Sequence, residues 1–199
     1  MSIKTLIFMP ISLMLLVSFV MAEEGKPQDE MDMQAMMEVY AKLATPGPQH
    51  KLYASMVGTW NTKTKSWMAP TEPPMESGGS CKHTMLLDGR FLRQECTGDM
   101  MGQPFTGVGL NGYDNHTQKY VSTWMDSMGT GIYFFEGTSS EDGKTITQLS
   151  RYDDPMQGLM KLRAVTTIVD ADSHVFEMFS TGQNGKEARM MEIVYTRKS

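Results

Sequence analysis

The pattern of apolar and polar positions changes at Met56. From there onward, short runs rich in Thr, Val, Tyr, Phe and Trp alternate with Gly, Asp and Asn turn residues at intervals of roughly 8 to 14 positions, which is typical of consecutive antiparallel strands. No run with helical periodicity interrupts them, and parallel strands would need a crossover of about a dozen residues or more. The pattern over 56–199 therefore predicts a mainly β domain, an antiparallel up-and-down β-barrel of about ten strands. A two-sheet sandwich is the alternative architecture.

Residues 31–55 have a helical pattern instead. Met33, Met36, Met37 and Tyr40 recur at the spacing of one helix face, and the sequence TPGPQ ends the pattern. We expect one N-terminal helix here, whose methionine stripe packs on the barrel. A short helical turn is expected to follow it before the first strand.

The first 22 residues have the composition of a secretory leader. An apolar run follows a single lysine, and small residues precede Glu23, which fits a small-x-small cleavage site. The run is short compared with the roughly 20 apolar residues of a membrane-spanning helix. We therefore expect a signal peptide over 1–22 and a flexible polar segment over 23–30. The mature protein should be periplasmic or secreted, with no membrane partner after cleavage.

The two cysteines lie on either side of an Asp-Gly turn at 88–89. With a two-residue turn there, Cys81 falls directly opposite Cys96, and Lys82 falls opposite Glu95 as a pair of opposite charges. A mature chain with only these two cysteines in an oxidising compartment is expected to form a structural disulfide. Free thiols and a metal or redox site are the alternatives. Neither a C-x-x-C spacing nor a third clustered ligand supports the last of these.

Charge and histidine spacing argue against several classes of partner. The net charge of −5 argues against nucleic acid and anionic membranes. The four histidines, His50, His83, His116 and His174, are scattered without the spacing of metal ligands, and we interpret them as solvated or edge side chains. We therefore predict no metal site and no cofactor.

Methionine is unusually frequent, with 21 residues in the chain. Thioethers are soft ligands that prefer Cu(I), so a Met-rich periplasmic Cu(I) site at Met31, Met33, Met36 and Met37 is an alternative function. Methionine also fills irregular gaps in apolar cores, and core packing is the expected role of this stripe.

Short motifs at both ends of the predicted barrel resemble a known pattern. The sequence GTW at 58–60 opens the first strand, and Arg197 lies on the last strand in VYTRK. This pairing resembles the calycins, that is the lipocalins and their relatives, in which the tryptophan of G-x-W packs under a C-terminal Arg or Lys. Because the first and last strands of a barrel must meet, antiparallel pairing also brings Trp60 and Arg197 to the same end. Both residues are expected to be structural.

A more specific resemblance covers residues 45–198. The segments MVGTW, LLDGRFL, GVGLNGYDN, KYVSTWMDSMGTG and MEIVYTRK are similar to a bacterial family of proteins of unknown function. The resemblance implies a calycin-like barrel and implies no activity.

Barrels of about this strand number commonly hold one small ligand. We therefore expect a small, partly apolar molecule to bind inside the barrel. Tyr113, Trp124 and Phe134 are the candidate apolar wall, and Asp126 is the candidate polar anchor.

Two other functional classes stay open. A hydrolase-type enzyme could use Asp126 or Glu136 as general base, because a carboxylate inside an apolar strand run is costly to bury unpaired. Pairing with an arginine or pointing into solvent would explain the same carboxylates, so no catalytic residue is assigned. A structural or interaction module, with its barrel filled by side chains, is the other class.

Overall fold

Ten strands in the described part of the chain pair in sequence order and close into one barrel. The computed structural model describes residues 33–100, 102–156, 158–182 and 185–199. The predicted signal peptide, the polar segment at 23–30 and Met31 lie outside these residues and stay predictions.

The elements are two helices followed by ten strands. In chain order they are α1 (Met33–Ala44), α2 (Pro48–Ser55), β1 (Gly58–Ser66), β2 (Met75–Leu86), β3 (Phe91–Met100), β4 (Gln103–Asp114), β5 (Lys119–Asp126), β6 (Tyr133–Ser139), β7 (Thr145–Asp154), β8 (Gly158–Ile168), β9 (Ser173–Thr181) and β10 (Glu187–Arg197).

The strand order confirms the predicted up-and-down barrel. Each strand is antiparallel to its neighbours, and β1 completes the sheet by pairing with β10. The sandwich alternative is wrong, because the ladder runs around the barrel without a break. Closure leaves no sheet edge with unpaired backbone groups, which an open sheet of ten strands would expose. Every strand belongs to the compact unit Val39–Ser199.

The first helix, α1, buries none of its side chains. Met33, Met37 and Tyr40 are all largely exposed. The periodicity of this stripe indicates an apolar face without indicating what covers it, and its packing on the barrel stays a prediction. Among the helices that the structure describes, none has both the length and the apolar character that crossing a membrane requires.

The second helix, α2, lies where the sequence predicts a short helical turn. It contacts β2, β3 and β4 at one end of the barrel. Its Tyr53 joins Met56, Leu92, Tyr120 and Ile146 in a buried apolar cluster. This cluster fills the end of the barrel next to α2.

The β2–β3 hairpin has the predicted register. Cys81 lies opposite Cys96, and Lys82 lies opposite Glu95. The structure joins the two cysteines in a disulfide whose Cα atoms are 4.0 Å apart. Local pairing alone was sufficient to predict this contact, since both cysteines lie on one hairpin.

The turn of this hairpin is wider than predicted. The ladder ends at the pair Leu86–Phe91 rather than one residue closer to the tip. Leu87, Asp88 and Gly89 all adopt positive φ, with angles of 48°, 53° and 86°. Because the extra residues are added equally on both sides of the turn, the register of the strands is unchanged.

Trp60 and Arg197 face each other where β1 meets β10. The Arg197 guanidinium carbon lies 4.2 Å from the centroid of the Trp60 ring, and Trp60 is only 1% exposed. The indole Nε1 donates to the carbonyl oxygen of Met56 at 2.9 Å. Arg197 donates from Nη1 to the carbonyl of Val57 at 2.7 Å and from Nη2 to that of Ser55 at 3.0 Å. The guanidinium therefore stacks on the tryptophan and satisfies carbonyl groups at the C-terminal end of α2.

Gly58 is required by this contact. Its φ is +141°, and a Cβ atom there would lie 2.6 Å from Arg197 Nη1. The glycine of the GTW motif therefore provides both a backbone conformation that side chains rarely adopt and the space for the guanidinium.

Digestion of the protein under non-reducing conditions is expected to give a cross-linked peptide pair containing Cys81 and Cys96, which mass spectrometry detects. The double variant Cys81→Ala/Cys96→Ala should still fold. The bond joins residues only 15 positions apart, so its removal costs about 3 kcal/mol at most, and a domain of this size has its own core. Complete alkylation of both thiols before reduction would contradict the disulfide.

Trp60→Ala is expected to lower the free energy of unfolding by roughly 3 to 5 kcal/mol, because a large buried ring is removed. Arg197→Ala should cost less, about 1 to 2 kcal/mol. Arg163→Ala is the matched control, since its guanidinium stacks on Phe179 at 4.1 Å and pairs with Glu187 far from α2 in the barrel wall. The control should cost below about 1 kcal/mol. Urea denaturation measures all three, and equal costs for the two arginines would contradict a special role for Arg197.

Candidate functional site

The barrel encloses a cavity of about 280 Å³. It extends from the apolar cluster beneath α2 to the opposite rim, where β3 and β5 end and β10 begins. Aromatic and thioether side chains make up much of its wall, among them Trp124, Phe135, Phe176, Met178 and Met191. The structure thus contains an internal space lined mainly by apolar groups.

Trp124 is held in a fixed orientation on this wall. Its Nε1 donates to Asp126 Oδ2 at 2.8 Å, and Asp126 Oδ1 accepts from the backbone N–H of Met128 at 3.0 Å. The indole ring lies against Gly107 and Gly109 of β4, where an added Cβ would overlap the ring or press against it. Two of the predicted site residues, Trp124 and Asp126, are therefore adjacent in the cavity wall.

The other two predicted wall residues lie elsewhere. Tyr113 packs at the α2 end, with its ring centroid 5.0 Å from that of Tyr120. Phe134 is 66% exposed and borders a groove on the outer wall, so it does not line the cavity. The neighbouring Phe135 lines the cavity instead. In the sequence YFF, aromatic residues occupy both faces of β6, so alternation alone could not identify the inward one.

The two candidate general bases are also separated. Glu136 is exposed on the outer wall, opposite Leu149 in the β6–β7 ladder. Asp126 lines the cavity, but both of its oxygens already accept hydrogen bonds. Asp99 is the second carboxylate among the described residues that line the cavity, and no Lys or Arg is among them. Across the described ranges, no group of three or more His, Cys, Asp or Glu side chains could hold a metal ion.

The sequence-based interpretation of the histidines is wrong for three of the four. His50, His83 and His174 are buried, and only His116 is exposed. The rings of His83 and His174 have centroids 5.8 Å apart, and both lie next to Trp60. A pair of buried imidazoles therefore lies directly beneath the barrel closure.

His83 belongs to a directional chain of hydrogen bonds. Its Nδ1 lies 3.2 Å from the carbonyl oxygen of Met56, which can only accept, so Nδ1 carries the proton. The other ring nitrogen, Nε2, then accepts from Gln94 Nε2 at 3.3 Å. Gln94 Oε1 in turn accepts from Asn111 Nδ2 at 3.1 Å. The chain leads from the closed end of the barrel to the cavity wall, where Gln94 and Asn111 both lie.

His174 is buried without this kind of support. Its ring stacks on Tyr195 with centroids 4.2 Å apart and meets Trp60 edge-on at 4.4 Å. Both ring nitrogens are buried with no hydrogen-bond partner in the described chain. Burial lowers the pKa of His83 to about 4 and that of His174 to about 3, and the positive charge of Arg197 acts in the same direction. Both imidazoles are therefore neutral at pH 7.

One of these buried histidines could have been found from the sequence. The predicted hairpin register places His83 two residues from Cys81 and opposite Gln94, hence on the same face as the disulfide. His174 gave no such signal, because two of the rings that contact it, those of Trp60 and His83, come from strands far away in the sequence.

A family model described as "Protein of unknown function (DUF1579)" matches residues 45–197, and the chain belongs to this family. The match covers nearly the same residues as the sequence resemblance to a family of unknown function. No curated protein matches the chain.

Solved structures with similar barrels include the following two. Rv2717c from M. tuberculosis matches with a TM-score of 0.56 at 14% identity, over 78% of this chain and 100% of that chain. The S-type phycobiliprotein lyase CPES from Guillardia theta matches with a TM-score of 0.52 at 13% identity, over 75% of this chain and 92% of that chain. At these identities the similarity is one of fold.

The free energy of unfolding is expected to fall as the pH is lowered from about 6.5 towards 4. An unfolded histidine binds a proton with a pKa near 6.5, whereas in the folded protein the pKa is about 4 for His83 and about 3 for His174. Below pH 6.5 the unfolded state therefore binds more protons than the folded state. Each of the two histidines then lowers the free energy of unfolding by up to roughly 1.4 kcal/mol per pH unit. Urea denaturation at several pH values measures the slope.

His174→Phe tests the contribution of His174 to this slope. The variant keeps a ring against Tyr195 and removes the titrating group, so the decline between pH 6 and pH 5 should be less steep than in the wild type, with His83 and His50 still contributing. His116→Gln is the control, because His116 is exposed and should leave the slope unchanged. An unchanged slope in His174→Phe would contradict a neutral buried His174.

Proposed function

We propose that this DUF1579 protein binds a small, partly apolar molecule inside its barrel. The observation that carries the proposal is the 280 Å³ cavity with Trp124 fixed in its wall. Ligand sites of proteins are typically concave, mostly apolar and roughly 300 to 1,000 Å³ in volume, with a few polar groups that orient the ligand. At about 280 Å³ this cavity is slightly smaller than that range and therefore suits a small ligand.

Small side chains support binding over a purely structural role. Protein interiors are normally packed to the density of organic crystals, and a barrel with no ligand is filled by its own side chains. Here the inner wall carries only a methyl group at Ala164, which is buried and lines the cavity. Larger residues at positions such as Ala164 would fill the space, so the sequence of the inner wall favours a cavity.

Methionines near the rim would suit an adaptable entrance. Met100, Met178, Met190 and Met191 all line the cavity. Unbranched thioether side chains are flexible and polarizable, and proteins use them at surfaces that accept varied apolar partners. We therefore assign the high methionine content of the barrel to ligand binding rather than to Cu(I).

We further propose that the mature protein acts in the periplasm or outside the cell. The Cys81–Cys96 disulfide is typical of oxidising compartments, and the apolar leader at 1–22 has the composition of a secretory signal.

Titration with N-phenyl-1-naphthylamine tests binding in the cavity. This uncharged dye becomes fluorescent in apolar sites, and we expect saturable binding of one dye per chain. Ala164→Phe fills the cavity and should weaken binding about tenfold or more, which corresponds to about 1.4 kcal/mol. Thermal unfolding shows that the variant is folded.

Phe134→Ala is the control, because it removes an aromatic ring from the outer groove. It should leave the dye affinity unchanged. If Phe134→Ala abolishes binding and Ala164→Phe does not, the dye binds the outer wall and the proposed function is wrong.

A further inference from the structure

Gln148 presents an unpartnered hydrogen-bond donor to the cavity. It lies in the middle of β7, is 7% exposed and lines the cavity wall. Its Oε1 accepts from Ser122 Oγ at 3.2 Å. Its Nε2 is buried and has no partner among the described residues. Since Oε1 already accepts from Ser122, the polar atom of this side chain that lacks a partner is the amide nitrogen, which is a donor.

The neighbours of Gln148 cannot satisfy this donor. In the sheet ladder Gln148 lies between Gly137 and Ala164. Neither has a side chain with a hydrogen-bonding group, and neither is large enough to cover the amide. More than about 90% of buried polar groups in proteins have a partner, so an orphaned amide in a cavity wall points to a partner from outside the chain.

The second interior glutamine shows that the fold can satisfy such a group. Gln94 also lines the cavity, and its amide is bonded on both sides, to His83 and to Asn111. Of these two interior glutamines, Gln148 is therefore the one whose amide nitrogen lacks a partner. His174 and Thr123 hold the other buried side-chain atoms without a partner among the described residues.

The charges around the cavity restrict the ligand further. The described lining residues include two carboxylates, Asp99 and Asp126, and no cationic side chain. Arg197 lies at the closed end and donates to backbone carbonyls there. An anionic ligand would lose its hydration without gaining a positive partner, which is costly in an apolar site. These features favour an uncharged molecule.

Resting on the proposed function, we infer that the ligand is an uncharged, largely apolar molecule with a carbonyl-type hydrogen-bond acceptor, and that Gln148 Nε2 donates to this acceptor inside the barrel. The apolar skeleton lies against Trp124 and its neighbours in the wall. Gln148 is thus a residue that determines specificity, because it favours ligands with an acceptor over purely apolar ones of the same size.

Two dyes of similar size test the inference. Prodan is an uncharged naphthyl ketone, whereas N-phenyl-1-naphthylamine is uncharged and has no carbonyl. Gln148→Leu should weaken prodan binding about tenfold, since a hydrogen bond to a buried acceptor is lost, and should leave the affinity for the naphthylamine equal or higher. The emission of any bound prodan should shift to shorter wavelength, because its carbonyl no longer accepts a hydrogen bond.

Thr147→Val is the matched control, since it removes a polar group from the opposite face of the same strand and should change neither affinity. Gln148→Met is a second variant for the case in which Gln148→Leu does not fold. If Gln148→Leu changes both affinities equally, or neither, the amide binds only a water molecule or nothing, and the inference is wrong while cavity binding stands. If neither dye binds the wild type, the proposed function and the inference are both wrong.

Discussion

The stacking of Arg197 on Trp60 is the contact on which the closed barrel depends. A barrel needs its first and last strands to meet, and here one guanidinium marks that seam and also binds the end of α2. Gly58 provides the space for it. Because a single planar cation makes both contacts, barrel closure and the docking of α2 are coupled. A lysine, with its compact point charge, could not reproduce this combination of stacking and forked donation.

The carbonyl group of Met56 extends this closure towards the cavity. It accepts from the indole of Trp60 and from the imidazole of His83, so the same backbone group orients both rings. His83 is thereby fixed as the tautomer whose other nitrogen accepts from Gln94. A protonated His83 would direct a second N–H at the Gln94 amide, which adds to the effect of burial in keeping the ring neutral. The polar groups at this end of the cavity therefore form part of the barrel closure.

The features that the sequence predicted well are those with local causes. The hairpin containing Cys81 and Cys96 could be placed in register because its strands are joined by one short turn. The barrel and the Trp60–Arg197 pairing followed from the regular spacing of turns and from the need to close the sheet. Alternation could not identify the inward ring in YFF, where Phe134 faces out and Phe135 faces in. Buried His174 was missed because Trp60 and His83, two of the rings that contact it, come from strands far away in the sequence.

The two interior glutamines separate the part of the polar interior that supports the fold from the part available to a ligand. Gln94 receives its partners from β2 and β4, so its amide helps to hold the closed end together whether or not the cavity is occupied. Gln148 receives one bond from Ser122 and retains a free donor. A buried donor of this kind destabilises the empty protein by about 1 to 3 kcal/mol, and a bound acceptor removes that penalty. Ligand binding would then stabilise the barrel through Gln148, whereas the contacts of Arg197 and Met56 give the barrel its closure without a ligand.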